Sequence, residues 1–341
     1  MQTETQTMKA AVLRDVRDLQ VVDTARPEPG DDGVLVRVRT VGICGTDLHT
    51  YKLGLFREMS LPVADGALFG HEFSGDIAAI GPHANVPGFA VGDRVTGIAL
   101  GAYAEYCRVG TGFGGRPMLV KLPDAVTYEE AATLEPLVVS MTAVERAAPK
   151  PGERVLVIGA GMIGLGCVQI MQACYPESEI VVCDVSEKRL AMAAEFGAHR
   201  CLNARSIDLV TALKADYGAS NVMYNATTSG LLDVVIECAG IPLTLNQALE
   251  LARPGSGRVV AVALYEERPT VDFNQVVSKN LRITGTLGYG AADVERALEL
   301  IASGRVNRKP LITHRYALAD AAQAFEAQIN TAETLKAVIL P

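Results

Sequence analysis

A chain of 341 residues is long for one hydrophobic core, so two domains are expected. Its 49% apolar and 21% charged residues are those of a globular protein, and a net charge of −8 disfavours nucleic acid or an anionic membrane as a partner. No run approaches the ~20 apolar residues of a membrane span.

In chain order, the polar stretch Met1–Met8 has no apolar core, so it reads as a frayed tail rather than a signal peptide. Lys9–Leu13 reads as a first strand, Val34–Thr40 alternates, and Gly75–Ile80 and Asp93–Thr96 follow as further short strands. Glycine-punctuated runs of this kind suit a partly open β-barrel. Tyr128–Ala148 reads as one helical stretch carrying Glu135, and Pro149-Lys-Pro-Gly152 after it is a candidate domain boundary.

From Arg154 onward, strands and helices alternate. Strands are predicted at Arg154–Ile158, Ile180–Asp184, Arg200–Leu202, Asp233–Glu237 and Arg258–Leu264. Helices are predicted at Met162–Ala173, Ser186–Phe196 and Leu243–Leu251, with a polar loop at Ala219–Gly230. Apolar strands separated by amphipathic helices imply a doubly wound parallel sheet covered on both faces. The segments Ala291–Ser303, Pro310–Thr313 and Ala319–Ala327 look like a return to the first domain. The expected division is therefore 1–150 completed by 287–341, and 151–286.

Gly159-Ala-Gly-Met-Ile-Gly164 after the first strand fits the dinucleotide fingerprint. Gly159, Gly161 and Gly164 allow the tight turn, the phosphate approach and close helix packing, while Met162 and Ile163 open the helix whose free N–H groups face the phosphates. Asp184, 20 residues past Gly164, is placed to grip a ribose 2′-hydroxyl. A carboxylate there repels a 2′-phosphate and the next residue is Val185, so NAD(H) is favoured over NADP(H). Lys188 and Arg189 are the basic residues close enough to argue the other way.

Cys44, His71, Glu72 and Glu135 offer thiolate, imidazole and carboxylate, the ligands zinc accepts. A Lewis-acid metal with a dinucleotide points to hydride transfer at an oxygen-bearing carbon. The seven cysteines are odd in number and no pair is spaced Cys-x-x-Cys, which points to a reducing cytoplasm.

The segments Gly42-Ile-Cys-Gly-Thr-Asp-Leu-His49, Gly70-His-Glu-Phe-Ser-Gly75 and Glu135-Pro-Leu137, the last 24 residues before Gly159, resemble in combination the zinc-dependent medium-chain alcohol dehydrogenases, in particular the sorbitol and 2,3-butanediol dehydrogenase branch. The resemblance runs from Lys9 to the end. It implies a GroES-like partly open β-barrel catalytic domain beside a Rossmann domain. It implies that Cys44 and His71 bind a catalytic zinc, with Glu135 joining directly or through water and Glu72 able to join or approach the metal when another ligand moves. Asp47 would orient His71, and Thr46 and His49 would relay the substrate proton.

The chain departs from the family in lacking the four-cysteine lobe of a structural zinc, so one zinc per chain is expected. Gly288 stands before Tyr289 where sorbitol dehydrogenases typically have arginine, which weakens recognition of a long polyol. Gly54–Arg57 and Ile98–Tyr103 are candidate pocket segments. The expected reaction is NAD-linked conversion of a secondary alcohol, in a small diol, polyol or cyclitol, to the ketone. Alternatives are an amino-alcohol dehydrogenase acting on L-threonine, a zinc-free quinone reductase and a non-catalytic nucleotide-binding relative. The apolar segments Arg258–Leu264 and Leu281–Thr286 could supply an edge strand, so a homodimer or homotetramer is expected.

Overall fold

The computed structural model describes residues 6–111, 117–223, 228–330 and 332–341. The chain divides into two compact units, Met1–Glu135 with Val294–Pro341, and Pro136–Asp293. Of the expected N-terminal tail, residues 1–5 lie outside the described residues, while Thr7 and Met8 already belong to the strand Thr7–Asp15.

In the first unit, Val34–Gly42 is the organising strand. It pairs antiparallel with Glu72–Ile80, Tyr106–Val109 and Lys336–Leu340. Seven strands form this sheet, and Asp18–Ala25, Thr7–Asp15, Gly66–Leu68 and Leu61–Val63 form a four-stranded one. Residues from both sheets, among them Leu13, Val36, Val41, Phe73 and Ile339, join one buried core. The alternation read in Val34–Thr40 is real at its centre, where Arg37 and Arg39 are exposed between the buried Val36, Val38 and Thr40.

The second unit is a six-stranded parallel sheet in the order Arg200–Asn203, Glu179–Asp184, Arg154–Ile158, Val234–Glu237, Arg258–Ala261, Arg282–Gly285. Numbered along the chain that order is 3-2-1-4-5-6, the doubly wound arrangement in which ligands bind beyond the strand carboxyl ends where the order reverses. The reversal lies between Arg154–Ile158 and Val234–Glu237. Helices Met162–Cys174, Glu187–Glu195, Leu209–Tyr217 and Pro242–Leu251 connect the strands. Strands buried on both faces explain the unbroken apolar runs such as Val155–Ile158.

The single helix expected over Tyr128–Ala148 is two helices, Tyr128–Ala131 and Leu134–Ala147. Pro136 explains the break: it has no N–H to donate backwards and fits only a first helical turn, so a new helix begins just ahead of it. The loop expected at Ala219–Gly230 contains a short antiparallel pair, Ala219–Asn221 with Thr228–Gly230. Among the described residues, no helix is long and apolar enough to cross a membrane.

Candidate metal and nucleotide sites

Register brings the first set of candidate ligands together. Gly42 lies opposite Glu72 in the antiparallel pair, so Cys44, two residues beyond Gly42, and His71, one before Glu72, emerge at the same end of the sheet. Cys44, His71 and Glu72 each offer a ligand atom, and these atoms lie within 4.8 Å of one another. Cys44 is also the N-cap of the helix Gly45–Leu53, which fixes the direction of the residues after it.

Asp47 anchors that turn. Its Oδ2 accepts from the Cys44 N–H at 3.0 Å and from the Tyr103 hydroxyl at 2.6 Å, and its Oδ1 stands 3.6 Å from His71 Nδ1. That last separation is an ion-pair distance rather than a hydrogen bond. Tyr103 is wholly buried, and its hydroxyl also lies 3.0 Å from the Gly42 carbonyl. Sequence reasoning offered Tyr103 as part of a pocket loop, but the structure commits it to the framework beneath the candidate ligands. Thr46 Oγ1 stands 3.2 Å from Cys44 Sγ. His49 lies three residues further along the same helix, its ring edge-on to Phe56.

The electrostatics of this cluster are those of too much buried negative charge. Burial pushes the Cys44 thiol up, opposed by His71 and reinforced by Glu72. Burial likewise pushes the Asp47 carboxyl up, against the pull of His71 and the Tyr103 hydrogen bond. Burial works to lower His71, yet Asp47, Cys44 and Glu135 together hold it well above its ordinary value. Protons are drawn in where a cation fits, and a thiol, an imidazole and a carboxylate are a donor set for zinc.

Glu135, expected as a ligand, lies in the first turn of Leu134–Ala147 and is not one of the three residues gathered within 4.8 Å. It is near enough to act on the His71 charge. Sequence reasoning missed Lys336, which is buried and ion-paired to the buried Glu72. Its signal was a lone charge opening the apolar strand Lys336–Leu340.

In the second unit, Gly159 sits at φ +97° and Gly161 is the N-cap of Met162–Cys174. Asp184 ends its strand and accepts from the Ala160 N–H at 2.6 Å through Oδ2 and from the Ser186 N–H at 2.8 Å through Oδ1. The acid is thereby locked beside the glycine turn. Arg189, on the helix capped by Ser186, is partly buried; burial lowers it and Asp184 opposes that. Glu237, also missed, is fully buried at the strand end across the reversal point. Its Oε1 accepts from the Ala239 and Gly240 N–H groups and the Thr244 hydroxyl at 2.8–2.9 Å, and its Oε2 from the Tyr265 hydroxyl at 2.7 Å.

Residues 30–126 match the family model described as alcohol dehydrogenase GroES-like domain, and residues 162–303 that described as zinc-binding dehydrogenase. The chain is 30% identical to sorbitol dehydrogenase of Bacillus subtilis (strain 168) over 99% of both chains. The solved 2R,3R-butanediol dehydrogenase of Bacillus subtilis is 27% identical, with a TM-score of 0.82 over 98% of this chain and 99% of that one. A protein of Sinorhizobium meliloti 1021 solved bound to NADP is also 27% identical, with a TM-score of 0.81 over 98% of this chain and all of its own.

Proposed function

The chain belongs to the zinc-binding alcohol dehydrogenases, in their sorbitol dehydrogenase-like branch, and as an alcohol or polyol oxidoreductase we propose that it converts a secondary alcohol to the ketone with zinc and NAD(H). A small diol, polyol or cyclitol is the proposed substrate class, with Gly288 in place of an arginine arguing against a long polyol. The observation that carries this reading is the gathering of Cys44, His71 and Glu72 within 4.8 Å over a buried Asp47.

In this reading Cys44, His71 and Glu72 would hold one zinc per chain, Glu135 would join directly or through water, and Asp47 would keep the imidazole oriented. When bound, the metal supplies Lewis acidity to the alcohol oxygen and the nicotinamide a hydride acceptor. Thr46 Oγ1, the hydroxyl 3.2 Å from Cys44 Sγ, takes the substrate proton, and His49 carries it towards solvent. Gly159, Gly161 and Gly164 shape the phosphate turn, with backbone donors from Met162 and Ile163. Asp184 holds the adenosine ribose, and its charge is what favours NAD(H) over NADP(H). Arg189, next to it, is the residue through which a 2′-phosphate could still be tolerated.

Two properties belong to the same proposal. Arg282–Gly285 is the outer strand of its sheet, with Ile283 and Leu287 exposed and Phe273 and Val277 exposed on the preceding helix. An apolar edge of that kind calls for a second copy, so a homodimer or a dimer of dimers is expected by sedimentation. Seven free thiols suit a reducing cytoplasm.

The test is Cys44→Ser. Zinc content and turnover should be lost while NADH affinity stays within about threefold, since the nucleotide turn is untouched. Turnover surviving with the metal gone overturns the zinc mechanism. A panel of vicinal diols, cyclitols, sorbitol and L-threonine, each with NAD and NADP, assigns the substrate and checks the cofactor; a higher kcat/KM with NADP refutes the preference.

A further inference from the structure

Tyr103 touches both chain segments that carry the candidate ligands. Its hydroxyl donates at 2.6 Å to Asp47 Oδ2, the oxygen that also accepts from the Cys44 N–H at 3.0 Å. Its ring closes on the other segment, where a Cβ at Gly70, the residue before His71, would stand 2.7 Å from two ring carbons. Its N–H donates to the Phe69 carbonyl at 3.2 Å, and the Phe69 and Phe325 rings meet it at centroid distances of 5.0 and 5.2 Å. Both Tyr103 and Asp47 are buried, so the hydroxyl gives the carboxylate a donor where bulk water does not reach. With Oδ2 committed to two donors, Oδ1 is left 3.6 Å from His71 Nδ1.

We propose that Tyr103 is a positioning residue: its hydroxyl fixes the rotation of Asp47 and so presets the Cys44 thiol and the His71 imidazole for a metal. This rests on the zinc reading above. The terminal torsion of an aspartate is broad, so a carboxylate holds one orientation only where its donors impose it. Without the hydroxyl, either oxygen can take the Cys44 N–H, and His71 loses a fixed partner. Metal affinity then falls, while the nucleotide turn in the other unit is untouched. Phenylalanine at this position keeps the aromatic packing and removes only the donor, which separates positioning from packing.

The experiment is a double-mutant cycle on zinc affinity, measured by competition with a chromophoric chelator, using Tyr103→Phe, Asp47→Ala and the two together. Tyr103→Phe should bind zinc about tenfold more weakly than wild type, with NADH affinity unchanged. With Asp47→Ala already in place the same change should cost less than about twofold, because no carboxylate remains to be held. A residue that mattered only for packing would weaken both backgrounds alike. Tyr103→4-aminophenylalanine returns a donor to the end of the ring and should recover wild-type affinity. If Tyr103→Phe does not fold, Tyr103→4-fluorophenylalanine, which fills the place of the hydroxyl without a donor, takes its part in the cycle. Zinc affinity of the donor-free variant within about twofold of wild type, or an equal loss in both backgrounds, overturns the proposal. If wild type binds no zinc, the metal reading itself fails, which is a different result.

Discussion

Gly161 and Gly164 are three residues apart in one turn, yet replacing each by alanine should fail in opposite ways. A Cβ at Gly164 would lie 1.8 Å from the Gly159 carbonyl oxygen. Carbon–oxygen contacts settle at about 3.3 Å, so the helix Met162–Cys174 would have to withdraw by roughly 1.5 Å. Overpacking of that kind costs about 1–3 kcal/mol and lowers the melting temperature by several degrees. A Cβ at Gly161 meets nothing within 4 Å, and φ −78° with ψ −168° suits any residue. Gly161→Ala should therefore keep wild-type stability to within about 0.5 kcal/mol. Its methyl group would instead stand where a pyrophosphate must approach. Losing one charge-assisted hydrogen bond there is worth about 1.5–3 kcal/mol, or about 10- to 150-fold in NADH affinity. Thermal denaturation and NADH fluorescence titration on both variants separate the two effects. If Gly161→Ala binds NADH within about twofold of wild type, the turn does not cradle phosphates and the reasoning is wrong.

Other perturbations have equally definite outcomes. Asp47→Asn removes the charge beside His71 while leaving a side chain able to occupy the turn, and zinc affinity measured by chelator competition should fall about 10- to 100-fold. Exchanging the acid for a neutral residue and adding a cation, as Asp184→Ser with Val185→Arg, should raise the ratio of NADP to NAD kcat/KM by about 100-fold; an unmoved ratio would mean that Asp184 does not read the ribose. Lys279 is buried and donates to the Leu249 and Glu250 carbonyls at the end of helix Pro242–Leu251, and burial pushes it down to about 8 from 10.5. Because the folded chain then gives up this proton before the unfolded chain does, the cost of burying the charge is fully present below pH 8 and is relieved as the pH rises towards 10.5. Melting temperatures from pH 7.5 to 10 should show that relief in wild type and not in Lys279→Met.

Of the fold, the parallel sheet was plain in the sequence because its four central strands are short apolar runs between helical stretches, and burial on both faces requires that pattern; the edge strands Arg200–Asn203 and Arg282–Gly285 are more polar and less buried. The barrel was harder. Its strands Tyr106–Val109 and Lys336–Leu340 are held by partners far along the chain, and no local periodicity announces them. The helix Gly45–Leu53 gave no amphipathic signal because the residues it buries include Asp47 and Thr50, kept inside for their hydrogen bonds rather than for apolar area. Pro136 could have been read as a helix start, and doing so would have split Tyr128–Ala148 correctly.

The site divides along the same line. Residues whose chemistry is written in a short segment, Cys44 with Thr46 and His49, His71 with Glu72, Gly159 to Gly164 with Asp184, could be picked out before any coordinates. Those that make the chemistry hold together could not, since Tyr103 reaches Asp47 across 56 residues and Lys336 reaches Ile43 across 293. Their roles follow from burial. A carboxylate sealed from water must find a donor or a cation, and the barrel supplies Tyr103 to Asp47 and Lys336 to Glu72. Wherever a sequence places several acids and a thiol in one apolar barrel wall, the lone lysine or tyrosine in an otherwise apolar strand is therefore the residue to examine next. It supplies the donor or countercharge that those buried acids require.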